Sequence, residues 1–181
     1  MYTQKRNNNI IKLDFETSGI NYTLKDENIN KTEFIPFENI TNNSHEIFES
    51  NKSYKHYAIY TGVVGTLFLI INIFYSTKLW AWLFLLACPT FFILFKRSKT
   101  DYKVLNVESK MDIFVINDKQ QSEIIEKVYS SRNIYLKSHY GKINYNNDRN
   151  DEVSKFSWLK QLGIINEREF EVIREEIINY E

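Results

Sequence analysis

One cysteine is too few for a disulfide. Cys88 is the only thiol in 181 residues, so no internal bridge forms and no metal cluster can be built on thiolates. Catalytic signatures are missing as well: there is no GxxxxGK phosphate loop, no GxSxG elbow, no HExxH and no GxGxxG. The three histidines, His45, His56 and His139, stand on separate segments. Glu167, Glu171, Glu175 and Glu176 have the spacing of a solvated helix face rather than of paired catalytic carboxylates. These absences set the expectation of a protein that is not an enzyme and needs no cofactor or metal. The opening MYTQKRNNN has no apolar core, so no cleavable signal peptide is expected there.

Net charge is also absent, at 23 basic against 23 acidic residues, but the balance is regional. Residues 96–150 hold 11 bases and 7 acids, while 151–181 hold 4 and 8. A basic middle and an acidic tail can pack on one another, or leave a basic surface for lipid or an anionic ligand.

The chain does contain one long hydrophobic run. Residues 57–95 carry a single charge, Lys78 in YSTKLW, with Tyr75, Trp80 and Trp82 around it. A spanning helix needs about 20 apolar residues, and a single span would bury Lys78 at a cost of about 3 kcal/mol. The expectation is therefore a transmembrane hairpin, with helices at 57–77 and 79–95. Lys52 and Lys55 before it and Lys96, Arg97, Lys99 and Lys103 after it place both termini in the cytoplasm of a bacterial inner membrane. Thr61, Gly62, Gly65 and Thr66 form overlapping small-xxx-small pairs, and Asn72 is polar at membrane depth. These residues are candidates for helix packing or for lining a pore.

On either side of the run, 10–15, 19–25 and 30–37 read as strands, followed by 101–108 and 110–116. Residues 117–140 read as an amphipathic helix closed by Gly141. The expected fold class is α+β: a small cytoplasmic sheet or barrel, 1–56 with 96–141, interrupted by the hairpin and covered by the helix. Residues 142–154 have no periodicity and read as a linker.

Two resemblances follow from these residues. Two strands, then FIPFENI, later strands and an amphipathic helix resemble bacterial pleckstrin-homology-type domains, here split by the hairpin; the resemblance implies a binding and assembly platform. The tail 155–178 resembles the short C-terminal domain called SHOCT, whose pattern is Leu-x-x-Gly-Ile-Ile followed by Glu-Phe. Leu159, Leu162, Gly163, Ile164, Ile165, Glu169 and Phe170 stand at matching positions, and the resemblance implies oligomerisation or partner binding through a helical hairpin. Asn166 with Glu169 also has the spacing of a capping box.

Lys127, Arg132, Lys137 and Lys142, interleaved with Tyr129, Tyr135 and Tyr140, form a candidate anion site for a nucleotide or a nucleic-acid strand; the competing reading is a solvated face. The functional expectation is a homo-oligomeric inner-membrane effector, similar in plan to small two-span proteins of anti-phage defence. Its cytoplasmic domain would sense a ligand and control an ion-conducting or membrane-disrupting state. The alternative is a membrane-tethered adaptor or immunity protein that binds a protein partner.

Overall fold

The computed structural model describes residues 1–181 except 8, 27–28, 76–79, 109–110 and 180–181; the side chains of 72–75 and 80–85 also lie outside the description. The chain divides into two compact units, 1–46 with 102–181, and 47–101.

In the first unit, β1 (Tyr2–Arg6), β2 (Asn9–Phe15), β3 (Gly19–Lys25) and β4 (Asn30–Pro36) form an antiparallel sheet in sequence order. Period-two alternation shapes it: Ile11 and Leu13 of β2 are buried while Lys12 and Asp14 face out. Gly19 opens β3 because β4 passes too close for a side chain; a Cβ there would lie 2.4 Å from the Ile35 carbonyl oxygen. A short 3-10 turn, Phe37–Asn39, leads into β5 (Ile40–Glu49), which joins β6 (Thr100–Val107) and β7 (Ile113–Ile116) in a second sheet ordered β5-β6-β7. A strand before the long apolar run thus shares a sheet with the strands after it.

Side chains of the first sheet satisfy the free edge of β7. The Tyr22 hydroxyl accepts from the Phe114 amide at 3.0 Å and donates to the Phe114 carbonyl at 3.3 Å. Gln4, 1 % exposed, accepts from the Ile116 amide and donates to its carbonyl, both at 2.9 Å. Two side chains thereby replace a missing neighbour strand. Tyr22→Phe removes both partners of Phe114 and is expected to cost about 1–3 kcal/mol, measured by urea unfolding.

Helix α3 (Gln121–Tyr140) serves two cores. Ile124 and Val128 pack with Leu13, Ile35, Val104 and Ile113 from the two sheets. About two turns beyond Val128, Leu136 packs with Phe156, Leu159, Phe170 and Ile177 of α4 (Arg149–Gln161) and α5 (Glu167–Asn179). Between these helices the chain turns in a Schellman motif. Gly163 has φ +69°, the Ile164 amide donates to the Leu159 carbonyl at 3.0 Å, and the Gly163 amide donates to Lys160 at 2.9 Å. The capping box forms in both directions: Asn166 Oδ1 accepts from the Glu169 amide, and Glu169 Oε2 from the Asn166 amide, each at 2.8 Å.

The expected linker 142–154 is structured from within. Glu152, 2 % exposed, accepts from the Asn144 amide at 3.0 Å, from Asn147 Nδ2 at 2.8 Å and from Lys155 Nζ at 2.5 Å. Burial pushes its carboxyl up, but Lys155 and the Asn144 and Asn147 donors outweigh that and hold it below the usual range. A depressed folded-state pKa means that this stabilisation is present above the ordinary carboxylate range and is lost as pH falls through the folded value. Glu152→Gln should therefore flatten the acid limb of stability against pH, read as urea midpoints from pH 7 downwards.

The second unit contains α1 (Lys52–Tyr75) and α2 (Trp80–Arg97). Here the transmembrane expectation is corrected: among the described residues, no helix is long and apolar enough to cross a membrane. Helix α2 has 18 residues and ends in Lys96 and Arg97. At 1.5 Å per residue it spans about 27 Å, short of the ~30 Å hydrocarbon core even before its charged end is discounted. Helix α1 is longer, at 24 residues, but its start is occupied by Lys52, Lys55 and His56 and its middle by Thr61, Gly62, Gly65 and Thr66. The two-span inner-membrane placement, the cytoplasmic orientation argued from it and the ion-channel reading fall with this finding. Lys78 lies outside the described residues, as do the side chains of Asn72, Tyr75, Trp80 and Trp82.

Candidate functional site

The stripe Ile124, Val128, Arg132, Leu136 recurs every fourth residue, so Arg132 sits on the buried face of α3. It is 1 % exposed. Its guanidinium donates to the Ile40 carbonyl at 2.9 Å, Asn42 Oδ1 at 2.7 Å and the Leu162 carbonyl at 2.9 Å, and lies 5.2 Å from the centre of the Tyr129 ring. Burial lowers its pKa, with Tyr129 acting in the opposite direction. Asn42 Nδ2 also donates to Leu162 at 2.5 Å. Arg132 is thus a junction binding β5, α3 and the end of α4.

That placement separates the residues of the candidate anion site. Lys127, Lys137 and Lys142 are exposed, whereas Arg132 faces inward with its donors engaged. Tyr135 is turned towards a carboxylate: its hydroxyl and that of Tyr140 both donate to Glu38, at 2.9 and 3.1 Å. The Glu38 hydrogen bond raises the Tyr135 pKa; for Tyr140 burial comes first and Glu38 adds to it. The tail residues matched to SHOCT are largely spent within this chain. Leu159, Leu162, Ile165 and Phe170 are buried, Ile164 is half-buried, and Gly163 makes the turn. Glu167, Glu171, Glu175 and Glu176 are exposed.

The hairpin of α1 and α2 leaves large apolar side chains exposed. Its helices meet where the sequence supplies small residues. Gly65 is buried, and a Cβ on Gly62 would lie 3.2 Å from Cys88 Sγ. Thr61, 8 % exposed, donates to the Tyr57 carbonyl at 2.8 Å. At the base, Tyr57 and Phe91 rings are 5.5 Å apart, and the Asn51 amide donates to Ser98 Oγ at 3.1 Å. The start of α1 and the end of α2 are therefore side by side, which brings Lys52 and Lys55 to the same end as Lys96 and Arg97.

Away from that contact the hairpin presents apolar side chains. Ile59, Val63 and Leu67 on α1 and Phe92 on α2 are each about half exposed. The hydroxyls of Thr66 and Thr90 donate back to the Gly62 and Leu86 carbonyls at 2.8 and 2.9 Å, leaving their methyl groups as surface. A groove of about 650 Å³ runs between the helices, with Gly62, Val63, Thr66, Cys88, Pro89 and Phe92 among its walls. Residues 50–100 contain no aspartate or glutamate, but they include Lys52, Lys55, Lys78, Lys96, Arg97 and Lys99. Among the described residues, no group of three or more His, Cys, Asp or Glu side chains is placed to hold a metal ion.

Among the described residues the chain is thus an α+β protein with two sheets, five α-helices and an apolar helical hairpin inserted between two strands of one sheet. No family model matches it, and neither a curated protein nor a solved structure is found similar to it.

Proposed function

We propose that this is a non-enzymatic assembly protein whose α+β body acts as a platform and whose α1–α2 hairpin lies against an anionic lipid surface without crossing it. One observation carries the reading: large apolar side chains stand exposed along both helices, in a segment whose charges are all of one sign. An exposed apolar patch of this kind marks an interaction surface. Basic residues add attraction to anionic lipid of about 1 kcal/mol each. The strands on both sides of the hairpin, followed by α3, support the platform half of the reading, because that order is what the pleckstrin-homology-type resemblance rests on.

The test is flotation of the full chain with vesicles of phosphatidylglycerol or of phosphatidylcholine. Binding to the first, weakened by added salt, and little binding to the second are expected. Equal binding to both vesicle types, or to neither, overturns the reading.

Self-association has separate support in α5, which leaves Val172 at 60 % and Ile178 at 52 % exposure beside a buried Phe170. The full chain is expected to run as a homo-oligomer in light scattering, and Val172→Glu with Ile178→Glu to lower its mass towards that of one chain.

A further inference from the structure

We propose that the groove between α1 and α2 is a binding site for one acyl chain, with the anionic head group of that amphiphile beside Lys55 and Lys96. The inference deepens the lipid-surface reading and rests on it for the source of the amphiphile. The groove's volume, about 650 Å³, lies within the range of ordinary small-molecule sites, roughly 300–1,000 Å³. Its walls suit a hydrocarbon. Val63, Leu67, Pro89 and Phe92 are apolar, and the Thr66 hydroxyl is already donated to the Gly62 carbonyl at 2.8 Å. Gly62 keeps the floor low, with Cys88 Sγ facing it across the helix contact.

Charge selects the head group and its position. Phe92 lines the groove, and Lys96 Nζ lies 5.0 Å from the centre of its ring. On the opposite helix, Lys55 stands three and four residues before Ala58 and Ile59, which also line the groove, so it shares their face. The two lysines mark the same end, because the hairpin is antiparallel there. An ammonium on a long aliphatic stem can lie along apolar surface and keep its charge at the rim, which is the geometry an acyl carboxylate or phosphate requires. A second copy of the hairpin fits less well. It would bring Lys52, Lys55, Lys96 and Arg97 against their own likenesses, since no acid lies between 50 and 100 and Asp101 is already paired with Lys99 at 3.1 Å.

Cys88 gives a direct readout, since it is the only cysteine of the chain, is partly accessible and lines the groove. The rate of its labelling by a maleimide is measured on the full chain alone and with decyl phosphate, decyltrimethylammonium or decyl maltoside, all below micelle formation. Decyl phosphate at ten times its dissociation constant is expected to slow labelling about tenfold; the cationic and neutral probes, with the same tail, are expected to protect far less. Lys55→Gln with Lys96→Gln should abolish the preference, and Lys55→Arg with Lys96→Arg should keep it. Equal protection by all three probes, or none by decyl phosphate, overturns the site. Vesicles of phosphatidylglycerol form a separate arm. If they bind the chain while decyl phosphate leaves Cys88 unprotected, the groove assignment fails and the surface reading stands. If decyl phosphate protects and vesicles do not bind, the site takes a free amphiphile and the surface reading fails.

Discussion

Arg132→Ala is expected to lower the unfolding free energy by about 3–5 kcal/mol, the upper range for a single substitution. Three effects combine. The Ile40 and Leu162 carbonyls each lose a donor at 2.9 Å where water is scarce, and Asn42 Oδ1, on a more open part of β5, loses one at 2.7 Å. The Tyr129 ring loses the cation stacked over it. A side chain 1 % exposed is also removed from between two cores, leaving a cavity. Arg132→Lys should recover little, because one ammonium cannot reach acceptors that the planar guanidinium serves with separate nitrogens. Urea unfolding of the full chain gives the magnitude. Amide exchange at Gly163 and Ile164 shows whether the end of α4 detaches first. A loss below about 1 kcal/mol would mean that Arg132 is dispensable and that packing alone holds the tail.

Neutralising the base of the hairpin should have the largest effect on binding. Lys52, Lys55, Lys96 and Arg97 are all exposed, so glutamine at these four positions should leave the urea midpoint of the chain unchanged. At about 1 kcal/mol per charge near an anionic surface, the loss comes to about 4 kcal/mol, or nearly a thousandfold in affinity for phosphatidylglycerol vesicles. Binding that survives the fourfold substitution would assign the interaction to the apolar faces alone and remove charge as the basis of selectivity.

The sequence was informative where polarity alternates with structure. The strands at 10–15, 19–25 and 30–37 are legible because apolar residues alternate with polar ones: Ile11 and Leu13 are buried while Lys12 and Asp14 face water, and Ile20 and Tyr22 are buried on either side of the half-buried Asn21. The turn at Leu162-Gly163 and the cap at Asn166 are legible because backbone conformation restricts which residues serve there. Strand β1 was hidden because its one buried residue is Gln4, a polar side chain standing in for a backbone partner. Strand β5 was hidden because only Ile40 of its ten residues is buried. Arg132 was misread for the opposite reason: its charge suggested a surface, although its place in the Ile124–Val128–Leu136 stripe indicated burial. The spanning expectation counted apolar residues along 57–95 as two lengths of bilayer. The structure divides them into helices of which one is too short and the other begins with charged residues and carries Thr61, Gly62, Gly65 and Thr66 at its middle.

The insertion between β5 and β6 also sets an order of events at the ribosome. Strands β1 to β4 pair with nearest neighbours and can zip as they emerge. Strand β5 ends at Glu49 and its partner begins at Thr100. At about 5–20 residues per second, roughly 50 intervening residues leave the edge of β5 waiting for several seconds. The polar run TNNSHE within that strand makes it a poor template for stray pairing during the delay. Its polarity acts as a built-in chaperone for a sheet that must be finished late.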